Sequence, residues 1–129
     1  MNIGVSLKKK SQRLKVVLAL AERNEQAAMD VLAAKRAYRD QQQEQLEHLK
    51  SYHGQYMTDI KGNMVGAQNV NNLQANLHFM YQVDLAIQQQ ENISQIAQQE
   101  FNKALNIWKD LHQKSKGMKD LINSYKNEE

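Results

Sequence analysis

The side chains of this chain that could take part in catalysis or bind a metal are histidines and carboxylates. Their spacing matches no known type of catalytic or metal site. None of the histidines forms the i, i+4 pair around a glutamate that a zinc-protease helix needs. The carboxylates, such as Glu44 and Glu47, have no concave core that could make one an acid and another a base. The absence of cysteine excludes a thiolate metal site. The residues therefore predict a protein that is not an enzyme and has no cofactor. The histidines are His48, His53, His78 and His112.

The short segment between Gly62 and Gly66 is the only glycine-rich break within a long run of helix-forming residues. It lacks the Gly-Lys-Ser/Thr ending with which a phosphate-binding loop holds a nucleotide and its metal. Glycine and asparagine tolerate positive φ, which a tight change of direction needs. The segment therefore predicts chain reversal and no nucleotide hydrolysis.

Two lines of side chains near this reversal have the spacing and chemistry of a partner-binding surface. Their members are spaced by 4, 3 and 4 residues, so each line lies on one face of a helix. An antiparallel reversal places Tyr52 beside Phe79 and Gln45 beside Ala86. The first line is Gln45, Leu49, Tyr52 and Tyr56, and the second is Phe79, Val83, Ala86 and Gln90.

A second apolar stripe accompanies these lines, so two interpretations stay open. Either stripe can form the packed seam between two helices, and the other is then free for a partner. An exposed aromatic stripe bordered by glutamines suits a protein partner. The second stripe is Leu46, His53, Met57 and Ile60 on one arm, with Leu73, Leu77, Met80 and Ile87 on the other.

The elements that must position these residues are two long helices. A chain of 129 residues without proline, 41% hydrophobic but only 6% aromatic, can form a helical seam more easily than a globular core. We predict an all-α fold, a long two-helix antiparallel coiled-coil hairpin forming one domain over residues 1–129. The first helix is expected at about 11–60 with Ser11 as its cap, the turn at 61–71 and the second helix at 72–125.

Apolar residues at helical spacing predict which face of each helix is packed. In the first helix, Glu25, Lys35, Arg39, Gln42 and His53 interrupt a stripe of Leu14, Leu18, Ala21, Ala28, Leu32, Leu46, Leu49, Met57 and Ile60. In the second, the predicted stripe is Phe79, Val83, Ala86, Gln90, Ile93, Ala97, Glu100, Ala104, Ile107, Leu111, Lys114, Met118, Leu121 and Tyr125. Trp108 follows Phe101 and Leu105 at helical spacing, which predicts a packed aromatic side chain.

Charge and hydropathy limit the class of partner. The chain has a net charge of +3 and a pI of about 9.1. Its basic residues form clusters at 8–13 and 114–119, which an antiparallel hairpin brings to the same end. This end is either solvated or a docking site for an acidic partner. No aromatic residues interleave the lysines, which argues against nucleic acid. No signal peptide and no apolar run of roughly 20 residues is present, so we expect only indirect or peripheral membrane contact.

The chain resembles the flagellar export protein family FliJ over about residues 11–122. On the first arm the resemblance lies in the run Arg13–Glu22 and in the tyrosine pair, Tyr52 and Tyr56. On the return arm it lies in the run Asp84–Gln90 and in Trp108.

The resemblance implies an antiparallel coiled coil similar to the central stalk subunit of rotary ATPases. Such a protein works in the cytoplasm, peripheral to the inner membrane at the flagellar base. It binds and stimulates the hexameric export ATPase, contacts the export-gate membrane protein and engages export chaperones. The resemblance thus implies coupling of the ATPase to the gate.

The resemblance also implies roles for particular residues. The gate-binding surface maps onto Gln45, Leu49, Tyr52, Tyr56, Phe79, Val83, Ala86 and Gln90. We expect the end where both termini meet to enter the ATPase ring, where acidic residues would meet Lys8, Lys9, Lys10, Arg13, Lys114, Lys116 and Lys119.

Two other functions compete with this one. The first is a passive export chaperone or scaffold that binds secreted helices through Tyr52, Tyr56 and Phe79 without affecting ATP turnover. The second is the equivalent stalk protein of a virulence-type secretion system, which genomic neighbours would distinguish.

Overall fold

The chain forms a two-helix antiparallel hairpin, as the sequence predicts. The computed structural model describes the backbone of residues 2–63 and 70–128, and the side chains of residues 10–62 and 72–128. Helix α1 spans Asn2–Asn63, 62 residues, and helix α2 spans Val70–Glu128, 59 residues. No strand occurs in these two ranges. The predicted turn falls largely on residues 64–69, which lie outside the described residues, whereas Lys61 and Gly62 still belong to α1.

Helix α1 begins at Asn2, well before the start predicted at Ser11. Ser11 is not a cap, because it lies inside the helix with only 4% of its surface exposed. Only one residue ahead of it, Gly4, strongly opposes a helix, whereas Lys8 to Lys10 favour one. The absence of apolar periodicity before Ser11 was therefore a poor reason to begin the helix at that residue.

The contacts group into two compact units, each containing part of α1 and part of α2. The terminal unit comprises the residues up to Lys35 and those from Phe101 onward. The central unit comprises Arg36–Glu100. In each unit the two helix segments run antiparallel and bury one face against each other.

The core of the terminal unit is built around Leu32, Phe101 and Ala104. The side chains of Leu105 and Trp108 pack against this cluster, which confirms the prediction that Trp108 is a packed aromatic residue. On α1 the predicted stripe is also correct, since its members and the polar residues that interrupt it are all buried or half-buried.

The predicted stripe of α2 is wrong at four of its alternate positions over residues 93–121, whereas Glu100 is half-buried. Ile93, Ile107 and Leu121 are exposed, as is Lys114, while Phe101 and Ile122 are buried. The true stripe is 94, 97, 101, 104, 108, 111, 115, 118, 122 and 125, shifted by one residue at alternate members. The shift turns the large rings of Phe101 and Trp108 inward, where they remove more apolar surface from water than isoleucine does.

The core of the central unit draws on both apolar stripes, so neither alternative that the sequence left open holds by itself. Ile60 and Met80 are buried, and Leu46, His53, Met57, Leu73 and Ile87 are half-buried. Leu77 is the exception, with 58% of its surface exposed. Val83 and Gln90 of the two lines are buried as well, whereas Tyr52 and Phe79 are exposed, so these two aromatic side chains lie at the edge of the seam.

Candidate protein-binding surface

An aromatic cluster of Tyr52, Tyr56 and Phe79 joins the two helices of the central unit. The tyrosine rings stack with their centroids 6.2 Å apart. Phe79 meets Tyr52 edge-on at 6.4 Å and lies tilted against Tyr56 at 5.0 Å. These are favourable separations for aromatic pairs. The predicted neighbourhood of Tyr52 and Phe79 is thus confirmed.

The cluster has a fixed inner side and an open outer side. The Tyr56 hydroxyl donates a 2.8 Å hydrogen bond to Oδ1 of Asn76 on the other helix, and Tyr56 is half-buried. Tyr52, by contrast, has 50% of its surface exposed, and Phe79 is also exposed. The rings are therefore held in place by packing while two of them present apolar surface to solvent.

The other predicted members of the two lines divide into rim and interior. Gln45 is exposed, and Leu49 and Ala86 are half-buried, so these three side chains can border the aromatic cluster. Val83 and Gln90 have only 7% and 6% of their surface exposed. They lie in the seam, so in this structure they support the surface and do not form it.

The polar seam around Gln90 is stabilised by hydrogen bonds between the helices. The side-chain amide of Gln90 and the hydroxyl of Ser94 both donate to the backbone carbonyl of Gln42, at 3.0 and 3.1 Å. Because a carbonyl oxygen has two lone pairs, it can accept more than one donor. This arrangement satisfies polar groups inside an otherwise apolar seam.

Sequence reasoning missed a second feature of the central unit, an apolar groove of about 560 Å³ that shares no residue with the aromatic cluster. Leu77 and Tyr81, one helical turn apart on α2, are its most exposed large hydrophobic side chains. Their i, i+4 spacing was a signal in the sequence. Its lining residues are His53, Met57, Ile60, Lys61, Leu77, Met80, Tyr81 and Asp84.

The basic side chains at the chain ends lie in the terminal unit. The Lys10 ammonium sits 4.6 Å from the centre of the Tyr125 ring, a cation–π contact between α1 and α2. Lys119 lies 3.7 Å from a carboxylate oxygen of Glu22. Arg13, Lys114 and Lys116 are exposed. The side chains of Lys8 and Lys9 lie outside the described ones.

The histidines make pairs with neighbouring side chains. His53 and His112 reach across to the other helix, to Asp84 at 2.8 Å and Glu25 at 3.2 Å. His48 lies 4.0 Å from Glu44 on its own helix. Within the described residues, no three histidine, aspartate or glutamate side chains come together as metal ligands. In the same part of the chain, no helix has both the length and the apolar character to cross a bilayer.

Comparison with known protein families gives a match over most of the chain. The family described as the flagellar FliJ protein matches residues 9–129, essentially the whole chain. The search of curated proteins found no significant match. The search of solved structures likewise found none. The helical hairpin and the family match agree with the resemblance seen in the sequence, and the chain therefore belongs to the FliJ family, a component of the flagellar type III protein export apparatus.

Proposed function

We propose that this chain is a non-enzymatic coupling protein that binds the hexameric export ATPase with its terminal unit and the export-gate membrane protein with its central unit. It acts in the cytoplasm, at the inner membrane beneath the flagellum, and engages export chaperones there. Coupling requires both contacts, since each partner must favour particular states of the assembly.

The aromatic cluster of Tyr52, Tyr56 and Phe79 is the observation that carries the proposal. Aromatic side chains are enriched at the centres of protein interfaces because they bury large apolar areas at a low cost in conformational entropy. Here the neighbouring rings and the Tyr56–Asn76 hydrogen bond already restrict the cluster. A partner that covers Tyr52 therefore gains apolar contact without ordering a flexible loop.

The terminal unit supplies the ATPase contact in this proposal. Arg13 and Lys114 are exposed basic side chains on different helices of this unit. Positive charge of this kind accelerates association with an acidic surface and determines orientation. We infer that acidic residues lining the ATPase ring meet these side chains.

The experiment for the gate contact compares Tyr52→Ala with Tyr81→Ala. Tyr81 is the matched control because it is an exposed tyrosine of the same unit that lies outside the aromatic cluster. Binding of each purified variant to the cytoplasmic domain of the gate protein is measured by titration calorimetry. We expect Tyr52→Ala to weaken binding by about 2 kcal/mol, and Tyr81→Ala to change it little. Equal losses, or no loss for Tyr52→Ala, would show that the gate protein does not bind at the aromatic cluster.

A further inference from the structure

The terminal unit contains a polar cleft of about 340 Å³ between α1 and α2. Carboxylates from α1 and hydroxyl, imidazole and ammonium groups from α2 line it. The lining residues are Glu22, Glu25, Gln26, His112, Ser115, Lys116 and Lys119.

The cleft contains a buried hydroxyl group that is unsatisfied. Ser115 has only 4% of its surface exposed, and its Oγ has no hydrogen-bond partner among the described residues. Buried polar groups in folded proteins are nearly always hydrogen-bonded, so an orphaned hydroxyl beside a cleft is unusual. A ligand whose donor reaches this oxygen would gain a bond that the chain does not make itself.

The two carboxylates of the cleft have unused acceptor capacity. Glu22 and Glu25 are three residues apart, so they lie on the same face of α1. One oxygen of Glu25 is 3.2 Å from Nδ1 of His112, and one oxygen of Glu22 is 3.7 Å from Nζ of Lys119. The second distance exceeds that of a hydrogen bond. Since a carboxylate offers about four lone-pair positions, most of the acceptor sites remain available to a ligand.

We propose that this cleft binds the guanidinium group of an arginine side chain from a partner protein. A guanidinium carries five N–H donors in a planar fork, so it can bridge Glu22 and Glu25 and also donate to Ser115. The Glu25–His112 and Glu22–Lys119 contacts open as it enters. Lys116 and Lys119 are exposed, so water and salt screen the repulsion between their ammonium groups and the entering guanidinium.

This site goes beyond the proposed function because its two carboxylates would bind a basic group, whereas the basic residues of the same unit would meet an acidic surface. The basic side chains of the terminal unit select an acidic surface, whereas the cleft selects one basic side chain within that surface. An ammonium group has the charge of a guanidinium but not the planar geometry that lets it bridge two carboxylates.

The chain carries its own reporter for a test. Trp108 is the only tryptophan, and its ring stacks on His112 with the centroids 5.0 Å apart. Release of His112 from Glu25 alters the surroundings of this indole. The full-length chain is titrated with methylguanidinium chloride below denaturing concentrations, and tryptophan fluorescence is recorded at constant pH and ionic strength. Methylammonium chloride and sodium phosphate serve as comparison ligands.

We expect a saturable fluorescence change with methylguanidinium and at least about tenfold weaker binding of methylammonium. Glu22→Gln combined with Glu25→Gln should weaken methylguanidinium binding by about tenfold or more, and Ser115→Ala by a smaller factor. Glu44→Gln is the matched control, since it removes an exposed glutamate–histidine pair in the other unit and should leave binding unchanged. Circular dichroism verifies that each variant is folded.

Several results would overturn the site. These are no saturable response to methylguanidinium, equal binding of methylammonium, a response to phosphate alone, or unchanged affinity in folded variants of both Glu22/Glu25 and Ser115. Neither the ATPase nor the gate protein takes part in the experiment. Its failure therefore leaves the proposed coupling function standing.

Discussion

Gln90 on α2 donates its side-chain amide to the side-chain oxygen of Gln42 on α1 at 2.8 Å and to the backbone carbonyl of the same residue at 3.0 Å. This pair lies within the seam of the central unit, where Gln90 is buried. In coiled coils, a buried polar residue can define the register of the helices at some expense of stability. We expect the Gln42–Gln90 pair to have this role.

Replacement of Gln90 by alanine should lower the free energy of unfolding by about 1–3 kcal/mol, because two hydrogen bonds are lost and the side chain of Gln42 stays partly desolvated. Urea denaturation followed by circular dichroism measures the change. Gln89→Ala provides the control, since Gln89 is exposed on the same helix. Equal stability of the two variants would argue against the buried pair.

The inward orientation of Phe101 can be tested against that of Ile107. Phe101→Ala should destabilise the chain by about 3 kcal/mol because it leaves a cavity beside Leu32. Ile107→Ala should cost less than about 1 kcal/mol, since 57% of the Ile107 surface is already exposed. Thermal and urea unfolding give both values. The reverse order would restore the stripe predicted from the sequence.

The hydroxyl of Tyr56 can be separated from its ring. Tyr56→Phe keeps the ring against Phe79 but removes the 2.8 Å hydrogen bond to Asn76. We expect a loss of about 0.5–1.5 kcal/mol in the free energy of unfolding, measured by urea denaturation. Tyr52→Phe is the matched control because the more exposed Tyr52 makes no comparable hydrogen bond to the described side chains of α2. A loss as large for Tyr52→Phe would show that the hydrogen bond contributes nothing specific.

Reversal of charge in the terminal unit should weaken the ATPase contact. The double change Arg13→Glu and Lys114→Glu should raise the concentration of chain needed for half-maximal stimulation by about tenfold at low salt, and by less as salt screens the charges. Lys61→Glu is the control, since it also reverses a positive charge at an exposed site, but in the central unit. Stimulation that is unaffected by the double change would eliminate the basic residues as the contact.

The sequence predicted the hairpin well because helix-forming residues and one glycine-bearing break leave few alternatives. It predicted the packed face of α1 correctly because Leu14, Leu18 and Leu32 follow a single periodic stripe. On α2 two stripes compete, one through Ile107 and one through Phe101, and spacing alone does not decide between them. Lys114 of the predicted stripe is exposed, but charge gave no guide, because Glu25 and Lys35 in the correct stripe of α1 are half-buried.

The candidate surface was predicted in part. The neighbourhood of Tyr52 and Phe79 followed from antiparallel pairing, but the burial of Val83 and Gln90 depends on how far each helix rotates about its axis. A rotation of this kind moves residues between seam and surface without changing the spacing in the sequence. The cleft around Ser115 was missed for a related reason, because its lining comes from distant parts of the chain.

The most direct test of the coupling function measures ATP hydrolysis by the cognate export ATPase while the full-length chain is titrated in, with the chain alone as background. Wild-type chain and a Tyr52→Ala, Phe79→Ala variant are compared, and ring assembly is verified by light scattering. We predict that both proteins stimulate hydrolysis in a saturable way. In the calorimetric titration with the gate domain, only the variant should lose binding. Absence of stimulation by wild-type chain, with the ring assembled, would contradict the account and favour a passive chaperone or scaffold.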